Sequence, residues 1–149
     1  MKIKKKRQRK ILSILLLISL MIPIFTMHTL ALSTKFELNP NKTVVSQGDK
    51  VTIKVKTKDV NQISSGINSY VGVLGYDSKY LSYESGTSSV NGWMFVYNQT
   101  SKGLIGYDPT GADFKTSDFE VFTLTFKVLD NAPLGDTTVT FKDIDVADG

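Results

Sequence analysis

The sequence has no cysteine, a single histidine, a single tryptophan and four prolines among 149 residues. Both arginines, Arg7 and Arg9, and the lone His28 lie near the N-terminus, so residues 32–149 contain no Arg, His or Cys. That removes the commonest general base, the thiolate nucleophile and the usual zinc ligands from most of the chain. With no disulfide available, a hydrophobic core has to hold the fold. Beyond residue 34 there is also no sustained 3.6-residue apolar repeat, and helix is expected at most as a turn over residues 78–81.

What is present begins with a leader. Lys2, Lys4, Lys5, Lys6, Arg7, Arg9 and Lys10 precede the apolar residues 11–25, and Thr29, Leu30 and Ala31 place small residues where a peptidase would cut. The pattern is that of a secretory signal peptide. The apolar run, broken by Pro23, falls short of the roughly 20 residues that span a bilayer as a helix. Residues 1–31 are therefore read as an export signal and residues 32–149 as a secreted domain, extracellular or at the cell surface. Its contact with the membrane is made only through that signal. The leader also takes the positive charge with it: the remainder has 11 lysines against 14 acidic residues, a formal net charge of −3. Those lysines are spread along strands and form no basic patch, which excludes a nucleic-acid role.

From Lys35 onward the periodicity is two. Val51, Ile53 and Val55 alternate with Thr52, Lys54 and Lys56. Phe122, Leu124, Phe126 and Val128 alternate with Val121, Thr123, Thr125 and Lys127, and Val139 and Phe141 repeat the pattern. One set predicts a core face and the other a wet face. Turn chemistry separates these runs, as at Gln47-Gly48-Asp49, Ser64-Ser65-Gly66 and Asp108-Pro109-Thr110-Gly111. Many short strands without a long helix predict one all-β domain, an antiparallel sandwich with jelly-roll topology.

Three segments carry a family resemblance. Residues 66–81, Gly-Ile-Asn-Ser-Tyr-Val-Gly-Val-Leu-Gly-Tyr-Asp-Ser-Lys-Tyr-Leu, resemble the strand and Tyr-Asp-Pro-x-x-Leu turn of cohesin domains, with Ser78 in place of the usual proline. Residues 119–128, followed by Asp130-Asn131-Ala132-Pro133-Leu134-Gly135, resemble the long central strand of that family and the turn after it. Ala147-Asp148-Gly149 resembles the Ala-Asp-Gly that follows the next strand. The resemblance implies a nine-stranded jelly roll that docks a dockerin-bearing protein and so helps assemble carbohydrate-active enzymes for polysaccharide degradation. It further implies no cofactor of the domain's own, with calcium entering through the dockerin. Since the family continues into a further strand, the domain is expected to be truncated at its C-terminus, with an unpaired sheet edge.

The site residues follow from register. With Tyr70, Leu74 and Tyr76 inward, Ser69, Val71, Val73 and Gly75 face outward as the candidate partner-binding row. The resemblance places a polar Asn and Asp clamp in that row; here Ser69 and Val71 stand in it, and the face is more apolar. A second candidate surface is an aromatic platform of Trp93, Tyr97 and Tyr107, which would suit a carbohydrate-binding module; core packing is the plainer reading of these aromatics. A spacer or adhesion domain is the third reading. The acids Asp108, Asp113, Asp118 and Glu120 lie in or beside a turn-rich loop, where solvated carboxylates ordinarily occur, and predict no catalytic pair. Asp143 and Asp145 lack the further ligands of a calcium loop, Ala147 standing where one is needed, and predict no metal site.

Overall fold

A computed structural model describes residues 34–148, all within one compact unit, Leu32–Gly149. The expected signal peptide and any strand beyond Gly149 lie outside the described residues. Eight strands run β1 (Lys35–Pro40), β2 (Lys50–Lys58), β3 (Ile67–Tyr76), β4 (Leu81–Ser88), β5 (Met94–Tyr97), β6 (Gly103–Tyr107), β7 (Glu120–Val128) and β8 (Val139–Asp148). They form two four-stranded sheets, ordered β1-β2-β7-β4 and β5-β6-β3-β8, and every strand pair is antiparallel. This is the expected sandwich: pairs such as β2·β7 and β3·β8 join distant segments, and the inner faces of both sheets supply the core.

The alternation read in β2 holds, with Val51, Ile53, Val55 and Thr57 all buried. In β7 it holds for Phe122, Leu124, Phe126 and Val128 but not for Val121, which the periodicity put on the wet face and which is fully buried. The cause is a β-bulge: Val55 pairs with Phe122 and Lys56 with Glu120, so Val121 is an extra residue that the bulge turns inward.

The centre of the core is aromatic. Tyr70 and Phe122 stack with centroids 5.4 Å apart, and Phe122 also meets Phe95 at 5.4 Å and Phe141 at 5.5 Å. Tyr70 needs room that only glycine supplies, because a Cβ on Gly106, its partner across β6, would overlap its ring. Burial raises the Tyr70 phenol above its ordinary pKa, and the hydroxyl has no hydrogen-bond partner among the described residues.

The turn after β3 forms as its sequence suggests. Asp77 Oδ1 accepts the Lys79 N–H at 2.9 Å, and the Asp77 carbonyl accepts the N–H groups of Tyr80 and Leu81. The one short 3-10 turn described lies elsewhere, at Val60–Gln62, where Asp59 takes a left-handed φ of 65° and Asp118 Oδ1 accepts the Val60 N–H.

Candidate functional site

The two sheets present unlike outer faces. On β1-β2-β7-β4 the outward residues are mostly Lys, Thr, Ser and Glu, laced by ion pairs such as Lys50–Glu84 at 2.7 Å and Lys54–Glu120 at 3.2 Å. Such exposed pairs contribute little, about 0–1 kcal/mol each, and keep the face wet.

The outer face of β5-β6-β3-β8 is apolar. Ser69, Val71 and Val73 all point outward there, and Val71 and Val73 are 45% and 38% exposed. Gly75 is half-buried at the end of the same row. Antiparallel pairing then brings in residues that sequence reasoning missed. Val71 pairs with Ile105 on β6 and Asp145 on β8, and Ile105 pairs with Val96 on β5, so one row crosses the sheet as Val96, Ile105, Val71, Asp145. The rows on either side are Met94, Tyr107, Ser69, Ala147 and Gly103, Val73, Lys142. Met94, Val96 and Ile105 are 48%, 48% and 39% exposed. Five large apolar side chains thus stand together on one sheet face, the kind of contiguous patch that marks an interaction surface. A signal for this was present: residues 93–97, Trp-Met-Phe-Val-Tyr, and Leu104-Ile105 are apolar on both faces, which an antiparallel strand with one wet face does not require.

The structure separates the three aromatics considered as a sugar platform. Trp93 is only 6% exposed, stacked on Tyr70 and edge-on to Phe119. Tyr97 points inward against Tyr83, with centroids 4.2 Å apart. Tyr107 alone of the three is outward, in the row with Met94 and Ser69. A platform needs wet aromatic faces side by side, which this arrangement does not offer.

The four loop acids each have structural work. Asp108 Oδ2 accepts the Thr110 hydroxyl at 2.6 Å and the N–H groups of Ala112 and Asp113 at 2.8 Å, while Oδ1 accepts the Thr110 N–H at 3.1 Å. The Thr110 hydroxyl and then the Asp113 N–H hold this carboxyl far below the usual carboxylate range. Asp113 is lowered by its contact with Lys115 and by accepting the Trp93 indole N–H at 2.9 Å. Asp118 accepts from Val60, and Glu120 from Ser89 and Lys54. Asp108, Asp113 and Glu120 are all held below their ordinary values, the opposite of the raised acid that general acid catalysis uses. Among the described residues, no group of three or more Asp, Glu, His or Cys side chains is gathered as a metal site would need.

Comparison with known proteins places this geometry. The cohesin domain family matches residues 36–149. No curated protein sequence matches the chain. Among solved structures, the cohesin module of a family 33 glycoside hydrolase from Clostridium perfringens superposes with a TM-score of 0.66 at 8% identity, covering 78% of this chain and 84% of that one. The CaCohA2 protein of Clostridium acetobutylicum gives 0.59 at 22% identity over 76% and 79% of the two chains. A type I cohesin–dockerin complex of Clostridium thermocellum, Coh-OlpC-Doc435, gives 0.56 at 21% identity over 69% and 75%. Likeness at such identities speaks for the sandwich alone. The family match is what extends over most of the sequence, and by it the chain belongs to the cohesin domain family.

Proposed function

We propose that this domain is a secreted binding module that docks a dockerin-type partner on the outer face of β5-β6-β3-β8. In doing so it contributes to the extracellular assembly of carbohydrate-active enzymes and to polysaccharide degradation. The observation that carries the reading is the row Val96, Ile105, Val71, whose side chains are exposed on a rigid sheet while the opposite sheet is covered by ion pairs. Strands hold these side chains about 4.8 Å apart across the sheet, close to the 5.4 Å rise of a helical turn, so a helix laid across the strands can set successive turns on successive strands. Several similar structures are cohesins in complex with dockerins, which supports the partner class. The basic and apolar leader supports export.

The domain takes part through fixed apolar contact and needs no chemistry of its own. Calcium belongs, on this reading, to the partner. The test is calorimetric titration of the exported chain with dockerin modules from the same genome, in calcium. A one-to-one complex is expected; absence of binding by every such module, with the domain folded, would overturn the proposal.

A further inference from the structure

The outer face of β5-β6-β3-β8 carries opposite charges in a self-complementary arrangement. Its charged side chains lie on the edge strand β8: Asp145 beside Val71 and Lys142 beside Val73. Neither has a salt-bridge partner among the described residues, although seven other lysines do. Consider a two-fold axis lying between two such faces, perpendicular to the strands and midway between these rows. It exchanges the rows. Lys142 of one copy then faces Asp145 of the other and the reverse, Val71 meets Val73, and Ile105 enters the gap left by Gly103 on β6. The outer rows also fit, with Ser69 set over Gly75 and Ala147 over Thr140. An isologous interface demands this self-complementarity, and sheets packed face to face with aligned strands are a common arrangement.

We infer that the face is also a self-association surface, a second copy of this chain being the occupant that covers it when no other partner does. The apolar patch is on the order of a few hundred Å² per copy, below the roughly 800 Å² per partner of a stable interface. Asp143, in the bulge between Lys142 and Asp145, adds a like charge near the axis. The dimer is accordingly weak, with a dissociation constant of roughly 10⁻⁵ to 10⁻³ M, so a tighter partner displaces it. Self-association through these rows is independent of which other protein the face binds.

Sedimentation equilibrium of the exported chain across that concentration range tests the inference. The expected result is reversible dimerisation that weakens at least about tenfold in Lys142→Asp or in Asp145→Lys, and that returns in the double variant carrying both reversals. Both substitutions are on exposed positions, and circular dichroism melts confirm that each of the three variants is folded. A wild-type chain that stays monomeric at millimolar concentration, or a double variant no better than the single reversals, would overturn it. Dockerin titrations on the same proteins read the other activity separately: dockerin binding without dimerisation defeats only the self-association.

Discussion

Replacing Val71 by Asp should uncouple binding from folding. The side chain is 45% exposed, so the substitution opens no cavity in the core. The folded domain loses a β-branched residue from a strand, worth up to about 1 kcal/mol. The new carboxylate also lies directly across from Asp145, a like-charge pair that costs about 0.2–1 kcal/mol. Together these lower the melting temperature by no more than about 8 °C in a domain of this size. In a complex the position sits mid-row between Ile105 and Asp145, where partner contact removes water. There the variant both forfeits burial of the still-exposed part of the valine, about 0.7–1.4 kcal/mol, and buries an unpaired charge, which costs about 1–3 kcal/mol or more. A loss of about 2 kcal/mol is roughly thirtyfold in affinity. Calorimetry with a dockerin module reads that loss, with Thr52→Asp on the opposite sheet as a control that should bind normally. An unchanged affinity in a folded Val71→Asp protein would refute the assignment of the face.

Phe122→Ala removes the ring that Tyr70, Phe95 and Phe141 all touch, and should destabilise by about 3–5 kcal/mol, read by urea denaturation. Tyr70→Phe removes a buried hydroxyl that has no partner, and should leave stability unchanged or raise it by up to about 1–3 kcal/mol in the same assay. Asp108 is more acidic in the fold than in the unfolded chain, so its stabilisation is complete above the unfolded value of about 3.9 and is lost as pH falls toward its folded value. Stability of the wild type should therefore fall below about pH 4, and Asp108→Asn should flatten that fall while lowering stability at neutral pH. Chelating calcium should abolish dockerin binding and leave the melting temperature of this domain alone unchanged.

Much of the fold could be read from the sequence because its signals are local. The period-two runs in β2 and β7 name their own buried faces, and Asp77 announces the turn that follows it. The outward row Ser69, Val71, Val73 is likewise set by one strand's alternation once Tyr70 and Leu74 are placed inside. What could not be read depends on pairing between distant segments. Val121 points inward only because the ladder slips between Val55 and Lys56, and nothing within β7 says so. Met94, Val96 and Ile105 join Val71 only through the registers of β5 with β6 and of β6 with β3. In β5 the aromatics Phe95 and Tyr97 go inward, as core packing requires, and Met94 and Val96 go out.

The contrast between the two outer faces also separates stability from recognition. Both sheets contribute to the core through their inner residues, and neither outer face is needed to complete it. The β1-β2-β7-β4 face uses that freedom for exposed ion pairs, which resist edge and face association at little energetic gain. The β5-β6-β3-β8 face instead exposes valine, isoleucine and methionine. Exposing them is unfavourable for the isolated domain in water, and covering them with a partner, as proposed, removes that cost. Because they stand on strands rather than loops, little conformational entropy is lost when a partner covers them. On the proposed reading, recognition rests on side chains outside the core cluster, and substitutions at Val71 should change affinity far more than they change folding.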